Sequence, residues 1–308
     1  MNNITGLGTA LVTPFDEDGK INWVALEWLI NYQIQEGVDF LVPCGTTGES
    51  ATLTEAEHVQ VVRFTVEVVA KRVPVVAGTG SNSTRTAVYL TNQAKNSGAD
   101  AVLVVSPYYT KPEPAGLYDY YKSIAQVGLP VILYDIPGRT GRGVPMEVIK
   151  ALVNEKAIAG IKWASGDLGQ LMEIRQNSPV NFRIFSGDDA LILPAMSLGA
   201  DGAISVTSHI MPKAIQQLIV SVKEGDFKNA NQLHYLMLDL MRALFMETNP
   251  IPVKTALSIV FPEIFHCAFR SPMTQMSLVA RDKLEKVIEK LKLPNEISVQ
   301  SQQVNKGN

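Results

Sequence analysis

Eight short runs, nearly unbroken in apolar residues, constrain this chain more than any other feature: Leu7–Thr13, Phe40–Cys44, Val73–Gly78, Ala101–Ser106, Val131–Asp135, Ile158–Lys162, Arg183–Ser186 and Gly202–Val206. A strand with one wet face alternates apolar and polar residues, whereas Ala101-Val102-Leu103-Val104-Val105 has two apolar faces to hide, as in a parallel sheet covered by helices. Stretches of helical period separate the runs: Trp23–Glu36, Glu55–Lys71, Thr84–Asn96, Leu117–Gln126, Pro145–Asn154, Leu168–Gln176 and Ala190–Leu198. At three junctions the pattern is the same, Gly37-Val38-Asp39, Gly98-Ala99-Asp100 and Gly199-Ala200-Asp201, and reads as a glycine ending a helix just before a strand begins. Eight such units over roughly 225 residues predict an α/β fold of the closed (β/α)8 TIM barrel type, usually about 250 residues, rather than an open doubly wound sheet. No Gly-x-Gly-x-x-Gly follows the first run.

More helix follows than a barrel needs. After Pro212–Lys223 comes Asp226–Met246, with Leu233, Leu236, Met237, Leu240, Met241 and Leu244 in one apolar stripe, then Val253–Val260 and Thr274–Leu291. The expected organisation is a catalytic barrel over 1–224, a C-terminal helical bundle packed on it over 225–293, and a disordered polar tail over 294–308.

Charged residues make up 19% of the 308, below the roughly 25% of ordinary soluble domains. That predicts surface committed to large elements or subunit contacts, and the expectation is a homo-oligomer. The net charge of −3 is scattered, with no basic stripe for nucleic acid. No run approaches the roughly 18 apolar residues of a membrane span, and the first residues lack a leader's pattern, so no membrane is expected. Cys44 and Cys267 show neither metal-ligand spacing nor a disulfide framework, which predicts a reducing cytoplasm. Cys44 reads as a small buried apolar residue, with a functional reading left open by its place beside a candidate loop.

In a barrel of this kind the site lies at the C-terminal ends of the strands, which directs attention to Thr46, Thr47, Tyr108, Tyr109, Tyr134, Arg139 and Lys162. Lys162 closes an apolar strand, where desolvation favours its neutral, nucleophilic amine; such an amine condenses with a ketone or aldehyde to a Schiff base. The alternative is a lysine paired with a carboxylate at the barrel mouth. Pro43-Cys44-Gly45-Thr46-Thr47-Gly48-Glu49-Ser50 offers hydroxyls and backbone N–H groups suited to a small carboxylate, or is a plain turn. In Tyr134-Asp135-Ile136-Pro137-Gly138-Arg139, a phenol able to shuttle a proton precedes an arginine on a turn able to grip a carboxylate, unless these are a rim filler and a surface residue. His58 stands without a second ligand at metal spacing and reads as a helix-surface histidine; no metal is expected.

These residues sit in motifs that resemble the dihydrodipicolinate synthase (4-hydroxy-tetrahydrodipicolinate synthase) family, within the pyruvate-dependent Schiff-base lyases and aldolases. The motifs are Val12-Thr13-Pro14-Phe15, Gly45-Thr46-Thr47-Gly48-Glu49-Ser50-Ala51-Thr52-Leu53, Ala77-Gly78-Thr79-Gly80, Pro107-Tyr108-Tyr109, Tyr134 through Gly141, Gly160-Ile161-Lys162, Ser186-Gly187-Asp188-Asp189 and Asn249-Pro250-Ile251-Pro252-Val253-Lys254. The resemblance implies a lyase of lysine and diaminopimelate biosynthesis that condenses pyruvate with aspartate semialdehyde, with Lys162 carrying the Schiff base and no cofactor. It implies that Thr46, Tyr134 and Tyr109 pass protons, Tyr109 from a neighbouring subunit of a homotetramer (dimer of dimers) or homodimer. It further implies that Thr46 and Thr47 hold the pyruvate carboxylate, that Arg139 receives the aldehyde substrate's carboxylate, and that Gly187 and Ile204 line the site through their backbones.

For the family's regulatory lysine site, Ser50, Ala51, Leu53, His58, Asn82 and Tyr108 match, while Glu55 and Thr86 stand where a histidine and a glutamate are expected. Trp163 and Ala164 depart from the pattern after the lysine, and a tryptophan there would alter pocket shape or packing; Asp135 stands where many members carry asparagine. The paired threonines favour the synthase over the sialic-acid or 2-keto-3-deoxy-sugar-acid aldolases of the same group, which remain the alternative. A barrel that binds keto acids without catalysis, suggested by Trp163, is the third reading.

Overall fold

The computed structural model describes residues 4–291. In chain order the elements are β1 (Gly6–Ala10), α1 (Trp23–Gln35), β2 (Phe40–Val42), α2 (Glu55–Val69), β3 (Val76–Gly78), α3 (Thr84–Ser97), β4 (Ala101–Val105), α4 (Pro114–Ala125), β5 (Val131–Asp135), α5 (Pro137–Thr140), α6 (Met146–Asn154), β6 (Gly160–Trp163), α7 (Leu168–Gln176), β7 (Arg183–Ser186), α8 (Ile192–Ser197), β8 (Gly202–Ser205), α9 (Pro212–Lys223), α10 (Phe227–Ala243), α11 (Ile251–Val260) and α12 (Leu278–Lys290). The eight strands pair in the order β2-β1-β8-β7-β6-β5-β4-β3, all in parallel. A parallel bridge between Leu41 and Val75, with backbone bonds Leu41 N–H to Pro74 O (3.0 Å) and Gly78 N–H to Pro43 O (2.9 Å), joins β2 to β3 and closes the ring. This is the TIM barrel that the apolar runs predict, and helices follow it. No helix among the described residues is long and apolar enough to cross a membrane.

Each of the three Gly-x-Asp junctions has a physical function. Gly37, Gly98 and Gly199 adopt φ of 88°, 89° and 99°, the left-handed conformation that ends a helix without steric cost. The aspartate two residues on then accepts the backbone N–H of the preceding strand: Asp39 from Leu7 (2.7 Å), Asp100 from Val75 (2.8 Å) and Asp201 from Ile184 (2.9 Å). Strand starts at the N-terminal end of the barrel are thereby tied to their neighbours.

Alternation along the strands separates two packed shells. The inner one holds Ala10, Phe40, Val42, Val76, Ala101, Leu103, Ile132, Tyr134, Phe185 and Ile204, with Phe40 and Phe185 edge to face at 5.3 Å. The outer one, between strands and helices, takes Val102, Val104, Leu133, Ile161 and Trp163. Because the side-chain period is two, Tyr134 and Lys162 face the lumen while Asp135 and Trp163 face the helices.

Several boundaries differ from the sequence reading. The Pro137–Arg139 turn is a short helix, α5, which Pro137 suits at its first turn and Gly141 ends at φ 73°. The last helix begins at Leu278 rather than Thr274, because the Ser277 side chain accepts from the Ala280 N–H and caps it. The segment 294–308, expected to be a disordered tail, lies outside the described residues.

Candidate active site

Lys162 and Tyr134 lie opposite each other in the β5–β6 register. The lysine Nζ sits 4.4 Å from the centroid of the Tyr134 ring, and the residue is 5% exposed. Burial pulls its ammonium pKa down to about 8, with the Arg139 cation acting in the same direction and the Asp189 carboxylate against both. Asp189 is itself engaged, its Oδ2 accepting the Val206 and Thr207 N–H groups at 3.0 and 2.6 Å. Among the described residues Lys162 forms no ion pair, so the carboxylate-paired alternative is not realised. Burial pushes the Tyr134 phenol up to about 12, against the pull of Arg139 and of a hydrogen bond with Thr46. It therefore holds its proton at neutral pH.

A cavity of about 310 Å³ opens beside Tyr134, lined by Cys44, Thr46, Glu49, Tyr108, Tyr134 and Arg139 among others; Lys162 does not itself line it. The threonine loop is held from several directions. Thr13 Oγ1 donates to Gly48 O (2.7 Å), Asn249 Nδ2 donates to Thr47 Oγ1 (2.9 Å), and Lys254 Nζ meets Glu49 Oε1 at 2.5 Å in a buried ion pair. Arg139 Nη2 donates to the Asn249 carbonyl at 2.8 Å, so one residue braces both the threonine loop and the arginine. Asn249, Pro250, Pro272 and Met273 also line the cavity, so the region after the barrel forms part of its wall as well as packing on it.

Other expected residues lie around this centre in different ways. Thr47 is buried and Ile204 is buried in the inner shell, and neither lines the cavity. Gly187 packs on the lysine stem: a Cβ there would sit 2.9 Å from Lys162 Cε and 2.8 Å from Ala164 Cβ. Tyr109 is 90% exposed at φ 67° and is not brought to the cavity within one chain. Of the six residues matched to a regulatory site, Ser50, Ala51 and Tyr108 line the cavity, while Leu53, His58 and Asn82 do not.

Two readings need correction. His58 is not a surface histidine: it is 5% exposed, because the face of α2 that carries it packs on the barrel, and burial lowers its pKa to about 4. For Trp163 the expectation of altered pocket shape does not hold, while that of altered packing does. Strand alternation turns its indole into the outer shell, where it is fully buried. Asn249, Asp189 and the Glu49–Lys254 pair were not singled out from the sequence; their one signal was membership of the Asn-Pro-Ile-Pro-Val-Lys, Gly-Asp-Asp and Gly-Glu-Ser motifs.

A buried amine of lowered pKa beside a protonated phenol, with hydroxyls and a guanidinium around the adjoining cavity, can capture a 2-oxo acid through its neutral form and hold a second carboxylate. Among the described residues no cluster of three or more His, Cys, Asp or Glu could hold a metal ion.

Residues 3–291 match the family described as the dihydrodipicolinate synthetase family. The chain is 46% identical over 282 residues to the 4-hydroxy-tetrahydrodipicolinate synthase of Maridesulfovibrio salexigens, covering 91% of this chain and 96% of that protein. The crystal structure of dihydrodipicolinate synthase from Aquifex aeolicus superposes with a TM-score of 0.92 at 43% identity, covering 94% of this chain and 99% of that one. A chloride-inhibited dihydrodipicolinate synthase from Acinetobacter baumannii, complexed with pyruvate, superposes with a TM-score of 0.91 at 40% identity over 94% and 99% of the two chains.

Proposed function

This chain belongs to the dihydrodipicolinate synthetase family, and from that premise we propose that it is a lyase of the 4-hydroxy-tetrahydrodipicolinate synthase type, condensing pyruvate with aspartate semialdehyde on the way to diaminopimelate and lysine. The observation that carries this reading is the buried, unpaired Lys162 amine beside Tyr134 at the C-terminal end of the barrel. The neutral amine attacks C2 of pyruvate to give a carbinolamine. Tyr134 protonates the departing hydroxyl, which leaves as water, and the imine forms. Loss of a C3 proton converts the imine to an enamine whose C3 attacks the aldehyde carbon. The Schiff base itself is the electron sink, so the proposal needs no cofactor or metal.

Thr46 and Thr47 hold the pyruvate carboxylate in this scheme, Gly187 and Ile204 form the backbone wall around it, and Arg139 takes the carboxylate of the aldehyde substrate. Tyr109 completes the proton relay of a neighbouring subunit in a homodimer or homotetramer; its 90% exposure supports that reading. Both cysteines are free thiols, which suits the cytoplasm we propose. A substrate panel tests the acceptor. Consumption of aspartate semialdehyde together with pyruvate is expected, whereas cleavage of a sialic or 2-keto-3-deoxy sugar acid with no such consumption would replace this function with the aldolase alternative.

A further inference from the structure

Behind Tyr134 and Lys162, on the helix side of the same strands, lies a polar network that the reaction scheme does not use. Asp135 and Trp163 are register partners and both are fully buried. Asp135 Oδ1 accepts the Val144 N–H at 3.1 Å, and its Oδ2 accepts Nε2 of Gln170, on α7, at 3.2 Å. The Gln170 carbonyl oxygen receives the Trp163 indole N–H at 3.1 Å and the Ser165 hydroxyl at 2.6 Å. An indole N–H and a backbone N–H can only donate. Trp163 therefore fixes which way the Gln170 amide points, its NH2 then requires an acceptor, and both oxygens of residue 135 must accept. A carboxylate satisfies that requirement and an amide does not.

Three pieces of the site meet in this network. Asp135 follows Tyr134, Trp163 follows Lys162, and Val144 closes the segment that begins with the Arg139 helix. We propose that Asp135 and Gln170, oriented by Trp163, are positioning residues that lock the Tyr134 and Lys162 strands and the Arg139 segment into one geometry from behind the barrel wall. The inference rests on the Schiff-base reading of Lys162. It also gives Trp163 a role: the indole orients the lock and does not touch substrate.

A reciprocal exchange tests it. Asp135→Asn sets an NH2 group against the Gln170 NH2 or the Val144 N–H, and Gln170→Glu sets two carboxylates face to face. The double variant Asp135→Asn/Gln170→Glu restores every bond: the new amide accepts from Val144 and donates to the new carboxylate, whose other oxygen serves Trp163 and Ser165. Each single change is expected to lower kcat about tenfold with KM for pyruvate within about twofold, and to slow borohydride trapping at Lys162 alike; the double variant recovers to within about twofold of wild type. The lock is overturned if either single variant keeps wild-type kcat, or if the double variant, folded by thermal melt, is as slow as the slower single. Should Asp135→Asn fail to fold, comparing half-buried Gln170→Glu with the double variant carries the same decision. Wild-type protein that pyruvate and borohydride do not trap overturns the Schiff-base reading instead, which separates the two failures.

Discussion

With its pKa near 8, Lys162 is neutral in roughly one molecule in ten at pH 7, against well under one in a thousand for an ordinary lysine. In the proposed mechanism the neutral form is the nucleophile, so kcat/KM for pyruvate is expected to rise tenfold per pH unit below about 8 and to level off above it. Asp189 favours the charged form, so Asp189→Asn should move that limb to lower pH; an unmoved or alkaline-shifted limb in the measured pH profile contradicts the assignment. Gly187 sets the depth of the same side chain. Gly187→Ala drives a methyl to within 2.9 Å of Lys162 Cε, and displacing a nucleophile this way should cost on the order of tenfold or more in kcat. Steady-state kinetics with a thermal melt check this, and unchanged kcat in a folded variant would mean that the lysine stem has room to move. From the sequence, the buried apolar setting of Lys162 was legible because one charged residue ends an apolar run; the Gly187 contact was not, since it depends on how β6 and β7 pack.

The strands were legible because burial on both faces leaves near-continuous apolar runs, and the repeated Gly-x-Asp punctuation marked the joints between elements. Helix starts were less so. The Ser277 cap depends on a side chain to backbone bond, and the Pro137 helix on a proline at its first turn and backbone bonds to Ile136 O, none of which periodicity registers. Buried histidines joining elements were also hidden, because a lone histidine on a helix or loop carries no pattern. His209 Nε2 accepts the Val12 N–H at 3.1 Å and its Nδ1 donates to Val206 O at 2.8 Å, which fixes a neutral tautomer between the ends of β1 and β8. Burial lowers the pKa of both His209 and His58 to about 4. Between the ordinary histidine value near 6.5 and about 4 the unfolded chain binds more protons, so stability falls as pH drops through that window. Melts at pH 7 and pH 5 should show a lower Tm at pH 5, and His209→Asn should flatten the dependence. An unaltered slope in that variant would remove His209 from the account.

At the scale of the whole molecule, the barrel and its following helices were readable from the order of patterns, but the way the C-terminal region enters the site was not. Asn249 reaches Thr47 across 202 positions and Lys254 reaches Glu49 across 205, and such pairs follow only from the finished packing. Tyr109 is exposed in the single chain, and the proposed function places it in the relay of a neighbouring copy. Tyr109→Phe is expected to lower kcat without unfolding the protein, and weakening the subunit contact should do the same; a fully active isolated monomer contradicts the shared relay. The central claim is the covalent capture of a 2-oxo acid by one buried amine, and the most direct measurement is intact and peptide mass after incubation with pyruvate and borohydride. A single reduced pyruvate adduct on Lys162 is expected. No adduct under conditions that trap a control aldolase, or an adduct on a different lysine, would contradict the claim.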